Sequence, residues 1–356
     1  RRYVRKRRRY LEKDEIRRVV VPEEHRPMSR RDFVASLKQD DTVFLVPDEN
    51  SASKDPWYAK AFMKYKLRHI FADSRQIEYD FSPLSVEIPR APLSSVEKAA
   101  SFVRTAKRPV LVLGSQSVLP VERVPELRRC IETLGIPTFL GGMARGLLGR
   151  NGSLHIRQGR SNALRRADCV ILCGAVADFR LQYGRALPKR ARIVACNRDE
   201  NSLNLNKGLF WNADLAIRAD PCDFLISLSR LLSQTFVSKF KSWASELKSL
   251  EVEKERKNQD KAREVVRGRG QKRSESLINP LALLNSLESE LSEKSILVAD
   301  GGDFVATASY IVRPRGPLTW LDPGAYGTLG VGAGFALGAK LVNPESEVWI
   351  IWGDGS

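Results

Sequence analysis

From Arg108 onward the chain alternates short, continuous apolar runs with stretches of helical period. Val110-Leu111-Val112-Leu113 ends at Gly114, a helical pattern covers Val121 to Leu134, and a second apolar run spans Ile136 to Leu140. A helix over Ser161 to Ala167, strands over Cys169 to Cys173 and Arg192 to Cys196, and a helix over Asp223 to Leu232 continue the alternation. Strands that are apolar at every position are buried on both faces, and helices between them imply parallel pairing. The predicted class is therefore α/β: a doubly wound parallel sheet over about residues 91–235, followed by a truncated second α/β domain.

That second unit, 277–356, opens at Asn279-Pro280, with a helix over Leu281 to Leu291 and strands over Ile296 to Asp300 and Val348 to Trp352. Between the two units, residues 236–276 interleave Glu with Lys and Arg and pass through Arg267-Gly268-Arg269-Gly270. This reads as a solvated helix running into a linker. Residues 1–90 support no fold assignment: a basic tail precedes an apolar run at Thr42 to Val46 and an amphipathic stretch from Trp57 to Phe71.

A formal net charge of +17 directs attention to polyanionic partners, but its placement argues against them. Residues 1–18 alone hold ten basic side chains against three acidic ones, and a second basic block lies between Lys239 and Arg273. With no aromatic platform interleaved, a solvated tail and linker account for the excess, and no nucleic-acid partner is expected. The cysteines Cys130, Cys169, Cys173, Cys196 and Cys222 form no C-x-x-C pair and suit buried thiols of a reducing, intracellular compartment. No apolar run approaches the ~20 residues of a membrane helix, and no secretory signal is present.

Chemistry concentrates at the C-terminal end. Gly353-Asp354-Gly355-Ser356 follows the apolar run Val348 to Trp352 directly. A carboxylate at the end of a buried strand, among glycines that let a phosphate approach the main chain, suits Mg²⁺ and a diphosphate. Two other strand ends carry Asp300-Gly301-Gly302-Asp303 and Asp322-Pro323-Gly324, and ligands of open α/β sheets bind beyond such carboxyl ends. From Gly324 to Lys340 there are six glycines in seventeen residues, each costing ~1 kcal/mol against alanine in a helix. Gly330, Gly334 and Gly338 are spaced to share one helical face and to press it against a neighbour.

Together these runs, with Lys107 to Gln116, Phe139 to Arg150, Asp178-Phe179-Arg180-Leu181 and Trp320 to Gly324, resemble the thiamine diphosphate-dependent enzymes of the acetolactate synthase group. The similarity is strongest to acetolactate synthase-like proteins that act as 2-hydroxyacyl-CoA lyases. It implies a middle domain of dinucleotide-binding type at 91–235, the first part of the diphosphate-binding domain at 277–356, and a pyrimidine-binding domain largely absent. By this resemblance Asp354 is the Mg²⁺ ligand, and Gly353, Gly355 and Ser356 line the diphosphate. Gly302 and Asp303 sit at phosphate contacts, the Gly327 backbone carbonyl meets the aminopyrimidine, Thr328 is a further cofactor-binding residue, and Leu329 is the apolar wedge that bends the cofactor.

The glutamate that activates the aminopyrimidine in such enzymes has no counterpart here, so no catalytic residue is assigned and the chain alone is expected not to turn over. The lyase-like relatives need no redox flavin, which argues against FAD, with Arg180 an ion-pair partner instead. Arg145 and Arg150 are candidates either for an anionic CoA group or for a surface role. The resemblance further implies a homodimer or homotetramer, a small acyl or 2-oxo acid substrate, and an intracellular setting, at a cytoplasmic face or in association with the endoplasmic reticulum membrane. The competing reading is a non-catalytic assembly or regulatory relative of acetolactate synthase.

Overall fold

A computed structural model describes residues 87–232, 238–266 and 277–353, apart from the side chains of Asp303, Phe304 and Ala325. The basic tail, the Thr42 to Val46 run, the Trp57 to Phe71 stretch and the Asp354-Gly355-Ser356 terminus lie outside the described residues.

The first sheet is parallel throughout. Strands β1 (Pro109–Leu113), β2 (Thr138–Leu140), β3 (Cys169–Cys173), β4 (Arg192–Asn197) and β5 (Leu215–Arg218) stand in the order β2-β1-β3-β4-β5. In-register pairs such as Leu111 with Ile171 and Ile171 with Val194 run through its centre. Side chains alternate across it as strand geometry requires. Leu111, Leu113, Ile171 and Val194 enter one apolar core, and Val110, Val112, Val170 and Ile193 enter the other.

The first core is closed by α1 (Leu93–Thr105), α2 (Val124–Leu134) and, beyond β5, α5 (Pro221–Leu231). The second is closed by α3 (Arg160–Arg166), α4 (Glu200–Asn204) and α6 (Lys241–Ala262). Double winding is thus observed, and it explains why every residue of β1 and β3 is apolar.

Local chemistry sets several boundaries. The pattern predicted from Val121 begins as a separate tight turn over 121–123, and α2 starts at Val124 because Pro125 occupies its first turn. Gly135, at φ 65°, ends it in the left-handed region. The Asp220 side chain accepts from the Asp223 N–H at 2.8 Å and caps α5.

The charged segment departs from expectation. α6 is not solvated all round: Trp243, Ala244, Leu247 and Glu251 are buried, and Trp243 Nε1 donates to the Pro109 carbonyl at 3.0 Å. Arg108 and Arg166 lie over the Trp243 ring at 5.7 and 5.0 Å. One buried face in every turn or so suffices to anchor a helix whose remaining surface is ionic, and the average polarity of the segment conceals it.

The second sheet comprises β6 (Ile296–Asp300), β7 (Trp320–Leu321) and β8 (Val348–Trp352), ordered β7-β6-β8 and parallel. It is packed by α7 (Pro280–Glu290), α8 (Gly302–Ile311) and α9 (Gly332–Val342). Asn279 caps α7 by accepting from Leu281 N–H at 3.0 Å, with Pro280 at its first position, as the Asn-Pro pair predicts. Central β6 is wholly buried, whereas in β8 only Ile351 is. The expectation of a buried final strand is corrected: among the described residues β8 pairs on one side only.

Ion pairs join the layers. Arg157, between β2 and α3, pairs with Glu251 and Glu255 of α6, and Glu255 also receives Arg313 Nη2 at 3.1 Å. Glu288 of α7 accepts from Arg315 Nη1 at 2.7 Å and from the Arg313 N–H at 2.8 Å. No helix among the described residues is long and apolar enough to cross a membrane.

Candidate functional site

The carboxyl ends of β6, β7 and β8 come together, and the sequence-derived candidates lie on the segments leaving them. Asp300 closes β6 and is fully buried. Its Oδ2 accepts from the Gly332 N–H at 2.7 Å, and its main-chain carbonyl accepts from the Gly353 N–H at 3.1 Å. Thus the end of β8 and the start of α9 are both tied to the last residue of β6.

Gly301, at φ 104°, turns the chain sharply into α8, whose first residue is Gly302. Among the described residues no side chain caps that helix, whose first-turn N–H groups at Gly302 and Asp303 are of the kind that bind an anion. Asp322 shapes the second segment: Oδ1 accepts from Gly324 N–H at 2.9 Å and Oδ2 from Trp320 Nε1 at 2.8 Å. Beyond it, Gly324, Gly327 and Gly330 each hold positive φ, which side chains disfavour. Gly327, Thr328 and Leu329 are exposed, Leu329 by 53%.

A Cβ placed on Gly302, Gly324, Gly327 or Gly330 would meet nothing within 4 Å. Bare main chain is therefore accessible along two of the three segments, which fits a group that approaches the backbone closely. Gly332 is different: a Cβ there would lie 2.5 Å from Trp352 Nε1 and 2.9 Å from Asp300 Cβ.

The glycine face proposed from spacing is accordingly corrected. Gly330 lies before α9 in a left-handed conformation incompatible with helix, and Gly334 and Gly338 look into open space. The contact that demands glycine is at Gly332. Asp300 was legible only as part of an acidic strand end; an acidic residue closing an all-apolar run was the available signal for its larger role.

The arginines are committed elsewhere. Arg145 lies over the Trp320 ring at 5.6 Å and donates through Nη1 to the Ser309 carbonyl at 3.0 Å, and burial lowers its pKa to about 10. Arg150 pairs with Glu288 and Glu293. Arg180 forms a two-pronged pair with Asp178, with Nε and Nη2 donating at 3.0 and 2.6 Å to Oδ2. Among the described residues no three His, Cys, Asp or Glu side chains are grouped to hold a metal.

Comparison with known proteins places both sheets. Residues 96–228 match the family model described as the thiamine pyrophosphate enzyme central domain, and residues 300–356 match the C-terminal TPP binding domain. The chain belongs to the thiamine pyrophosphate enzymes.

Within this family it is 50% identical over 300 residues to 2-hydroxyacyl-CoA lyase 2 of Danio rerio, covering 84% of this chain and 46% of the relative. It is 43% identical to 2-hydroxyacyl-CoA lyase 2 of Homo sapiens, covering 88% of this chain and 49% of that protein. Similarity extends at 28% identity to the acetolactate synthase large subunit IlvG of Mycobacterium tuberculosis, over 93% of this chain and 57% of that one. The chain spans about half the length of the curated lyase relatives it matches. The fold class read from the apolar pattern and the family read from the motifs are both those found.

Proposed function

We propose that this chain forms the diphosphate-holding part of a thiamine diphosphate and Mg²⁺-dependent enzyme that makes or breaks carbon–carbon bonds in 2-hydroxyacyl-CoA or 2-oxo acid substrates. The observation that carries the reading is the open glycine main chain at Gly302, Gly324, Gly327 and Gly330, beside the convergent strand ends at Asp300, Asp322 and Gly353.

The uncapped N–H groups of Gly302 and Asp303 suit phosphate oxygens. A diphosphate laid there adds negative charge near the strand ends that carry Asp300 and Asp322, so a divalent cation is needed to balance it. Asp354, next in sequence to Gly353, is the residue assigned to that cation, with Gly355 and Ser356 contributing donors to the phosphates. Gly327 and Thr328 present main chain to the aminopyrimidine, and exposed Leu329 supplies an apolar face for the cofactor to fold against. When bound, thiamine diphosphate supplies the carbanion stabilisation that the chain's own side chains lack.

FAD is not part of this reading. The switch point between β1 and β3 is filled by main chain: a Cβ on Gly114 would lie 2.0 Å from the Gly174 carbonyl oxygen, and Ser117 beside it is fully buried. Assembly as a homodimer or homotetramer is supported by exposed Leu337, Leu341 and Val342 on α9. Five free cysteines support an intracellular setting. Turnover is assigned to the chain only in company with a pyrimidine-binding module carrying the activating glutamate.

Calorimetric titration of thiamine diphosphate into the chain tests the proposal. Saturable binding that requires Mg²⁺ and is lost in Asp354→Ala is expected. Heats that are absent, or indifferent to the metal, remove it.

A further inference from the structure

Resting on that thiamine diphosphate reading, we propose that Asp300 is the positioning residue of the diphosphate end, with one carboxylate oxygen holding α9 and the other accepting a hydrogen bond from a water on the cofactor's metal ion. Among the described residues, Asp300 ties together three segments of the site. Its Oδ2 holds Gly332 at the head of α9, its carbonyl holds Gly353 just past β8, and Gly301 after it leads into α8. The remaining oxygen, Oδ1, is enclosed and has no hydrogen-bond partner among the described residues.

A buried acceptor left unsatisfied is unfavourable, and a carboxylate oxygen more so than a neutral one. The group that completes it must bring a donor. A diphosphate has only acceptors at neutral pH, and a bare like charge is repelled. Mg²⁺ is small, dehydrates reluctantly and keeps several waters, each a polarised donor. Asp300 is thereby the outer partner of the metal, beside the end of β8 that its own carbonyl holds at Gly353, and orients the bound ion while fixing the loop Gly327 to Gly330 through Gly332.

Asp300→Asn separates the two duties. The amide keeps an acceptor for Gly332 but replaces the second acceptor by a donor. Without cofactor, the variant is expected to melt with the unmodified chain and to retain hydrogen-exchange protection at Gly332. Its affinity for thiamine diphosphate with Mg²⁺ is expected to fall about 10- to 100-fold, the range for outer-shell partners of bound metals.

Asp300→Ala is expected to lose both the Gly332 protection and the affinity. In the unmodified chain, saturating Mg²⁺ and thiamine diphosphate slow exchange at the Gly332 and Gly353 amides. Unchanged affinity in Asp300→Asn, or unchanged exchange at Gly332 in the loaded chain, overturns the assignment and leaves the proposed function standing. Failure of the unmodified chain to bind overturns both.

Discussion

Glu255 of α6 accepts from Arg313 Nη2 at 3.1 Å, so a helix that packs on the first sheet is held by a residue that follows α8 of the second. The same carboxylate takes Arg157, whose side chain is only 8% exposed. Removing Glu255 leaves both guanidinium groups short of a partner. Glu255→Gln is expected to lower unfolding stability by about 1.5–3 kcal/mol, the range for hydrogen bonds to charged groups. Denaturant titration followed by tryptophan fluorescence measures it, and a loss below a few tenths of a kcal/mol contradicts the joint.

Gly332 and Gly338 are both helical glycines, yet they answer to opposite constraints. Gly332→Ala drives a methyl into Trp352 and Asp300 and is expected to destabilise by about 1–3 kcal/mol, as overpacking does. Gly338→Ala adds a methyl in open space and is expected to stabilise by roughly 0.5–1 kcal/mol through helix propensity. Thermal melts of the two variants should move in opposite directions.

Acid sensitivity has an identifiable source in His155. Burial, aided by Arg157, Lys248, Arg145 and Arg313, lowers its pKa to about 3. The unfolded chain takes up this proton near pH 6.5 while the folded chain refuses it. The contribution is therefore complete above pH 6.5 and falls by about 1.4 kcal/mol per pH unit as the pH drops toward 3. His155→Gln is expected to flatten the stability profile between pH 6 and pH 4 by about one proton's slope. Denaturation curves across that interval decide the matter.

The cysteines are guarded by the fold. Burial pushes the Cys169 and Cys222 thiols up to about 12, and Cys173 is raised by burial and by its neighbour Cys196. Iodoacetamide at pH 8 is expected to modify half-buried Cys130 first and the others only as the protein unfolds. Peptide mass spectrometry after timed quenching reads the order. Early labelling of Cys173 contradicts the packing of β3 against β4.

Much of the fold was legible because β1 and β3 are apolar at every residue, a pattern only a doubly covered parallel strand requires. β5 escaped notice: Leu215–Arg218 buries only Ile217, too short an alternation to stand out. α6 was misjudged since its Lys and Glu residues dominate composition while Trp243 and Leu247 do the packing. At the site, the strand ends at Asp300 and Asp322 were legible as acidic residues closing apolar runs. Which glycine was sterically required was not legible, because the neighbours of Gly332, Asp300 and Trp352, are distant in sequence and meet it only through the pairing of β6 with β8. The same reason hid Asp300, whose partners Gly332 and Gly353 lie 32 and 53 positions further on.

Trp243 fastens α6 beneath β1 and Glu255 fastens it to Arg313, so the two sheets are cross-braced by one rod. The framework behind the strand ends is therefore held from two sides. By contrast the run from Gly324 to Gly330 carries three glycines in left-handed backbone, with no atom beyond their chain neighbours within 4 Å of where a side chain on them would begin. Stiffness is thereby assigned to the braced strands, and backbone freedom to a stretch only a few residues long.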